Sequence, residues 1–197
     1  GVMRVSVGVT REWQVETKMR KLPKPVPGEG GNTITETVDE IISRGKLIVA
    51  IDTTTPPYGF LDENLKPAGF DIEIAQRMGE ALKVPVEFVT VTSPGRIPSL
   101  LTKQVDAVVS IFSITAERAK QIMYSAPYAN TFLAVYGPKQ LAVKSAAEVT
   151  KLKTSVAKGT TEDLMLTEAN PNADIMRTED NATAVQASWV NGRRHSF

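Results

Sequence analysis

An arginine stands in the first turn of a predicted helix, directly after a turn rich in serine and threonine. The stretch reads SIFSITAER and runs from Ser110 to Arg118. A helix start already carries the positive end of the helix dipole, so a cation there is unfavourable unless an anion offsets it. Either the Arg118 side chain extends into solvent, or an anion binds at this position. Helix-start amides and a planar guanidinium together can hold a carboxylate.

The inventory of reactive side chains excludes most familiar catalytic classes. The chain has 197 residues, no cysteine and one histidine, His195, close to its end. Without cysteine there is no disulfide, no zinc–thiolate site and no thiol nucleophile. A single histidine argues against a histidine-based triad or metal cluster. We therefore expect no catalytic residue, no metal site and no cofactor.

The charge balance is nearly even, with 23 basic and 22 acidic side chains and a net charge of +1. This gives no electrostatic reason to expect nucleic acid or an anionic membrane as a partner. No apolar run reaches the roughly 20 residues that a membrane-spanning helix needs. No secretory signal is visible at the N-terminus. With 42% hydrophobic residues, the composition suits one or two soluble globular domains.

Strand and helix patterns alternate from residue 35 onward. Thr37 and Glu40 predict a capping box at the start of a short helix. Apolar runs predict three strands, KLIVAID, VPVEFVTVT and VDAVVSI, and periodic patterns between them predict two helices, FDIEIAQRMGEALK and RIPSLLTKQ. The segment TTTPPYGFLDENLKPAG is expected to be a long, turn-rich loop. This order predicts an α/β fold with a doubly wound, mostly parallel sheet.

In such a sheet the ligand binds beyond the carboxyl ends of the strands. Those ends are the segments from Asp52 to Pro57, from Thr92 to Arg96 and from Ser110 to Thr115.

The chain divides into three parts by composition. Residues 1–34 form an N-terminal arm and linker, in which MRVSVGV predicts a short strand and LPKPVPGEGGN a linker. We expect this arm to be irregular or to pair with something outside its own domain. Residues 35–131 form the first lobe. Residues 132–197 form a hinge and a partial second lobe, in which strand and helix patterns start again.

Three stretches together resemble a known family. They are GKLIVAIDTTTPPYGFLDENLKPAGFDIEIAQRMGEAL, RIPSLLTKQVDAVVSIFSITAERAKQIMYSAPY and VAKGTTEDL. These are similar to the type II extracellular solute-binding proteins, family 3, of polar amino-acid ABC transporters. The resemblance runs from about Thr37 to about Gly192. It implies two α/β lobes that close on one free amino acid, a permease partner in the membrane, a periplasmic or extracellular location, and no enzymatic activity.

The resemblance also implies particular site residues. The α-amino and α-carboxylate groups of the ligand are expected at a set of turn residues, Ser110, Ser113, Thr115 and Arg118. In the second lobe, Thr160 and Thr161 are expected to complete the carboxylate site. The alternative for Thr160 is that it only caps the helix beginning at Thr161.

Around the ligand's side chain, the resemblance places Asp52 as an acidic group. Thr55 occupies a position where many relatives have an aromatic ring, and Tyr58 either supplies that ring or packs within the first lobe. Arg96 either pairs with a polar or acidic ligand side chain or is a surface arginine beside a proline turn.

One expected feature is missing. Relatives carry an aspartate for the ligand's ammonium group where this chain reads NGRRHSF and ends, so we expect a truncated C-terminus and an incomplete ammonium site. The runs LIVAI and DAVVSI are then expected to lack part of their usual cover, which favours a homodimer. The alternatives are a folded fragment that binds little, or a cyclohexadienyl-dehydratase-like enzyme, for which Asp52 and Glu162 show no pairing partner.

Overall fold

The computed structural model describes residues 3–5, 34–137 and 142–193. In chain order the strands are β1 (Met3–Val5), β2 (Leu47–Ile51), β3 (Thr54–Thr55), β4 (Gly59–Leu61), β5 (Pro67–Ala68), β6 (Val86–Thr90), β7 (Ala107–Val108), β8 (Val135–Gly137), β9 (Thr154–Ala157) and β10 (Ile175–Thr178). The helices are α1 (Ile34–Arg44), α2 (Phe70–Leu82), α3 (Arg96–Leu101), α4 (Ala116–Ala119), α5 (Ala146–Val149), α6 (Thr161–Ala169) and α7 (Asn181–Arg193).

The first lobe is built on a parallel sheet with β2 in the middle. Strand β2 pairs with β6 on one side and with β7 on the other, both in parallel. Its apolar side chains Leu47, Val49 and Ile51 are at most 1% exposed. A nearly continuous apolar run suits such a strand because helices cover both faces of a parallel sheet. The expectation that LIVAI lacks part of its usual cover is therefore wrong.

Helix α2 packs its apolar stripe on this sheet. Ile72 and Ala75 are buried in the same cluster as Val49 and Ile51. The helix begins after Gly69, whose φ is +119° and whose missing Cβ would lie 2.4 Å from the Tyr58 carbonyl oxygen. Only glycine fits that turn, and it directs α2 back across the strand ends where the ligand is expected.

Two local predictions are wrong. Helix α1 begins at Ile34, so position 37 lies inside the helix and is not its N-cap position. The predicted loop after β2 instead contains a small antiparallel sheet in which β3 pairs with β4 and β4 with β5. Its second turn is tightened by the Asp62 carboxylate, which accepts from the backbone N–H groups of Asn64 and Lys66.

The predicted strand of the N-terminal arm is confirmed for Met3–Val5. It pairs antiparallel with β8 of the same chain, with Met3 opposite Gly137 and Val5 opposite Val135. The proline- and glycine-rich linker prediction lies outside the described residues.

The second lobe repeats the α/β pattern on a smaller scale. Strands β9 and β10 are parallel neighbours, as expected for strands joined by a helix. A buried apolar group holds them against the helices of this lobe and comprises Val149, Val156, Ala157 and Ala184. The structure thus has the two-lobed α/β architecture that the sequence predicts.

Candidate ligand-binding site

The three strand-end loops of the first lobe meet beside one loop of the second lobe. Arg96, after β6, reaches Asp52, after β2, with 3.0 Å between Nη2 and Oδ2. Arg118 donates from Nη2 to the Gly159 carbonyl of the second lobe at 3.0 Å. The place where these loops meet, called the crevice below, lies at the strand ends where the sheet order predicts the ligand.

Asp52 and Arg96 form a buried ion pair in which both side chains are 5% exposed. The second Asp52 oxygen accepts from the Thr54 backbone N–H at 2.8 Å and from its hydroxyl at 2.7 Å. Burial lowers the pKa of Arg96, and the nearby Asp52 carboxylate opposes that shift. The interpretation of Arg96 as a surface arginine is wrong, and so is the expectation that Asp52 has no pairing partner.

Arg118 is only 7% exposed, so the interpretation that it extends into solvent is wrong. Its guanidinium donates to the carbonyl oxygens of Ser113 and Gly159, each at 3.0 Å. Burial lowers the pKa of Arg118, and the Tyr124 and Glu162 groups oppose that shift. Among the described residues no carboxylate forms an ion pair with Arg118, although the Glu162 carboxylate is near enough to affect its pKa.

The Phe112 ring is in contact with the guanidinium groups of both Arg96 and Arg118. Its ring centroid is 4.7 Å from the Arg118 Cζ and 5.4 Å from the Arg96 Cζ. An aromatic face attracts a guanidinium at such distances. Phe112 therefore brings two guanidinium groups to one place, which places two sets of charge-assisted donors beside the crevice.

Three buried polar atoms of predicted site residues make no hydrogen bond within the described structure: Thr55 Oγ1, Arg96 Nε and Ser110 Oγ. Ser110 is 1% exposed. Buried polar groups without a partner are uncommon because each costs about 1–3 kcal/mol. All three belong to residues that the sequence predicts for the site, and a polar ligand bound among them would supply the missing partners.

Tyr58 packs within the first lobe. Its ring is in edge-to-face contact with Phe70, with centroids 6.2 Å apart. Thr115 is the N-cap of α4, and its hydroxyl accepts from the Arg118 backbone N–H at 3.2 Å. Ser113 is half-buried and offers its carbonyl to Arg118.

The second-lobe loop is held by a cap and a carboxylate. Thr160 caps α6, as the alternative interpretation predicted, with its hydroxyl accepting from the Asp163 backbone N–H at 3.3 Å. Thr161 is the first, half-buried residue of that helix. Asp163 accepts from the Gly159 backbone N–H at 2.9 Å and from Arg177 Nε at 2.8 Å. Sequence reasoning missed Asp163, although the pattern T-x-x-D is a capping signal.

Sequence reasoning also missed Asp71, in the first turn of α2. Its carboxylate is 1% exposed and accepts from the Ile111 backbone N–H at 2.7 Å and from the Tyr128 hydroxyl at 2.9 Å. Burial raises the pKa of Asp71. Burial, followed by the neighbouring Asp71 carboxylate, raises the pKa of Tyr128.

Two further searches cover the described ranges only. No helix there combines the length and hydropathy that crossing a membrane requires. Nor do three or more His, Asp or Glu side chains of these ranges come together in a group that could hold a metal ion.

The chain is similar to proteins of known kind along most of its described length. The profile of the bacterial extracellular solute-binding proteins, family 3, matches residues 47–192. The L-cystine-binding protein TcyJ of Escherichia coli (strain K12) is 27% identical over 151 residues, which are 76% of this chain and 57% of that protein. The glutamine-binding protein of Geobacillus stearothermophilus is 30% identical over 158 residues, with 78% of this chain and 60% of that protein covered.

A crystal structure gives the same result. The ancestral amino acid-binding protein AncCDT-1, a precursor of cyclohexadienyl dehydratase, superposes with a TM-score of 0.72 at 39% identity, covering 80% of this chain and 70% of that one. The chain spans less than two thirds of the length of the two curated relatives, namely 57% and 60%. The profile match, the fold and the position of the crevice agree, and the chain belongs to the bacterial extracellular solute-binding proteins of family 3.

Proposed function

We propose that this chain binds one free polar or acidic amino acid between its two lobes, as the substrate-binding component of an ABC transporter. Its curated relatives are named for cystine and glutamine binding. The permease of the transporter is then the membrane partner of this chain. The chain itself works in the periplasm or outside the cell. The ligand's carboxylate is assigned to Arg118, with Thr161 and the start of α6 on the opposite side.

The observation that carries the proposal is the set of three unsatisfied buried atoms, Thr55 Oγ1, Arg96 Nε and Ser110 Oγ. They belong to β3, to the start of α3 and to the turn after β7, three elements that are far apart in the chain. An amino acid offers acceptors for the Arg96 N–H and both donors and acceptors for the two hydroxyls. Arg118 adds a buried cation whose guanidinium, within the described ranges, donates to the carbonyl oxygens of Ser113 and Gly159.

The Asp52–Arg96 pair sets the preference for the ligand's side chain. Because Asp52 neutralises Arg96 at 3.0 Å, an acidic side chain approaching Arg96 also approaches a carboxylate. A neutral polar group, such as a side-chain amide, can accept from Arg96 Nε without that repulsion. We therefore expect glutamine-like ligands to bind more tightly than glutamate-like ones, and Asp52→Asn, which removes the repelling carboxylate, to reduce that difference.

A thermal-shift screen against the twenty amino acids and L-cystine tests the proposal, because a ligand that binds the folded state raises its melting temperature. We expect one class of polar amino acid to stabilise the parent chain and Arg77→Ala, which removes an exposed arginine on α2, and not Arg118→Ala. No stabilisation of the parent at millimolar concentrations would contradict amino-acid binding and favour a folded piece that binds little.

An enzyme of the dehydratase type is the second candidate, since AncCDT-1 is a precursor of such an enzyme. General acid–base catalysis needs a carboxyl within reach of the substrate. Of the carboxylates named for this alternative, Asp52 is held by Thr54 and Arg96, and Glu162 is half-buried in the first turn of α6. The nearby buried carboxylate of Asp71 is held by Ile111 and Tyr128. This engagement supports binding over catalysis.

We also propose that the chain self-associates. Large apolar side chains near the end of the first lobe and in the segment that follows it are exposed, with Met123 at 61%, Phe132 at 67% and Tyr136 at 52%. The β1–β8 pairing seen within one chain can equally form between two copies, giving an exchanged dimer. Light scattering on the full chain and on a version starting at Asn32 decides. A dimer only for the full chain supports exchange, a dimer for both removes the arm from the contact, and monomers for both contradict association.

A further inference from the structure

Asp71 is a buried carboxylate that the proposed ligand contacts do not use. It is 1% exposed, and its two oxygens accept from two distant segments. Oδ2 accepts from the Ile111 backbone N–H at 2.7 Å, and Oδ1 accepts from the Tyr128 hydroxyl at 2.9 Å. Asp71 therefore links α2 to two parts of the chain that are 40 and 57 residues away from it.

The first of these segments is the turn that carries Ser110 and Ser113. Ile111, between them, has φ of +44°. A β-branched residue in the left-handed region is a true outlier, which persists only when its surroundings hold it there. The Asp71 carboxylate supplies that hold because it bonds the N–H of the strained residue itself.

The second segment leads from the first lobe toward β8. Tyr128 lies in it, and its ring also packs against Phe70, with centroids 6.1 Å apart. Phe70 directly precedes Asp71 at the start of α2. Ring packing and the hydroxyl bond thus fix Tyr128 to the same helix start that fixes Ile111.

We propose that Asp71 is a positioning residue, whose carboxylate sets the Ser110–Ser113 turn for the ligand and couples this turn to the segment that joins the lobes. This inference rests on the proposed function, because the turn needs a set geometry for binding only if it binds a ligand. A change at Tyr128 is then expected to alter the affinity for the amino acid, although the Tyr128 ring is not among the proposed ligand contacts.

Two variants test the coupling. Asp71→Asn replaces the charged acceptor by a neutral one of the same shape, and Tyr128→Phe removes a single hydroxyl at a residue that is 41% exposed. Tyr136→Phe is the matched control, since it removes an exposed tyrosine hydroxyl from β8. Calorimetry measures binding of L-glutamine, L-cystine and L-glutamate to each full-length chain. NMR follows the Ile111 amide proton, which a carboxylate acceptor shifts downfield.

We expect Asp71→Asn to move the Ile111 amide upfield and to weaken binding of the tightest of the three probes about tenfold, and Tyr128→Phe to weaken it about fivefold. Tyr136→Phe is expected to match the parent. Parental affinity and an unmoved Ile111 amide in a folded Asp71→Asn chain would overturn the inference.

If Asp71→Asn does not fold, Tyr128→Phe decides alone, and parental affinity in it overturns the coupling. If the parent binds neither these probes nor any other amino acid of the screen, the proposed function has failed. The Ile111 amide then still tests the link, because an unchanged resonance in both variants overturns it.

Discussion

Two loops meet at the crevice, one from each lobe, and they are built alike. Each contains a residue with positive φ, Ile111 at +44° in the first lobe and Gly159 at +70° in the second. The N–H of each residue donates to a buried carboxylate, that of Asp71 at 2.7 Å and that of Asp163 at 2.9 Å. Arg118 joins the two loops, since its guanidinium donates to the Gly159 carbonyl.

The loops differ in what the conformation costs. Glycine adopts positive φ without penalty, whereas an L residue with a side chain loses about 1–2 kcal/mol there. Asp163 is paired with Arg177, while the Asp71 carboxylate bonds a neutral amide and a neutral hydroxyl. The first-lobe turn is thus strained and held by a buried acid, and the second-lobe loop is relaxed and held by an ion pair.

The largest effect is expected where the loops are joined. Arg118→Ala removes a buried, charge-assisted donor and should lower amino-acid affinity by roughly 2–4 kcal/mol. The free energy of unfolding should fall by only about 1 kcal/mol, because the two bonds lost go to carbonyl oxygens. Calorimetry and urea unfolding measure the two quantities. Unchanged affinity would show that the link between the loops is structural only.

The next largest effect is expected for Asp163, the carboxylate that holds the second-lobe loop. Asp163→Ala leaves the Gly159 N–H without its acceptor and Arg177 without its ion pair, so we expect a loss of about 2 kcal/mol in unfolding free energy. The control is Asp174→Ala, since Asp174 is 72% exposed and lies 3.9 Å from Lys153. Such an exposed pair contributes about 0–1 kcal/mol. Equal losses for the two variants would show that Asp163 does not hold the second-lobe loop.

A smaller effect is expected for the positive φ of the second loop. Gly159→Ala should cost about 1 kcal/mol in unfolding free energy through backbone strain alone, since its Cβ would meet Pro94 at an ordinary 3.6 Å. Gly95→Ala is the matched control, because Gly95 has φ of −77° and room for a methyl group. That change should be neutral or stabilise by up to about 1 kcal/mol. A harmless Gly159→Ala would mean that the loop does not need a glycine.

The smallest expected effect is a dependence on pH. Burial raises the folded-state pKa of Asp71 above its ordinary 3.8, with Tyr128, Ile111, Arg96 and Asp52 as neighbours. A raised pKa contributes stability below pH 3.8 that is lost as pH rises through the folded-state pKa. The Asp71→Asn variant has no carboxyl group at this position, so it does not lose this stability as pH rises. The free energy of unfolding of the variant, relative to that of the parent, should therefore increase as pH rises from 3.8 through the folded-state pKa. Urea unfolding at several pH values measures this difference. A difference that stays constant or decreases would contradict the prediction.

Much of the fold could be predicted because its signals are local. The run LIVAI predicts a strand from its composition alone, and Thr160 marks the start of helix α6 as its N-cap. The carboxylate contacts also differ in this respect, because a local contact is marked in the sequence and a distant one is not. Asp163 is four residues from Gly159, and a capping pattern marks it.

Contacts between distant segments left no such signal. Asp52 and Arg96 are 44 residues apart, and Asp71 and Ile111 are 40 apart. Which strand ends become neighbours depends on the sheet order, and no local pattern states which side chains then pair. The capping box at Thr37 failed for a related reason, since a helix begins where the whole chain permits it and not only where a cap is available.

The central claim is that one amino acid is held by both loops at once. Hydrogen exchange, measured residue by residue with and without the tightest amino acid from the screen, tests it directly. The account predicts slower exchange on binding in the segment from Ser110 to Arg118 and in the segment from Lys158 to Asp163. Slower exchange confined to one of the two loops would contradict it.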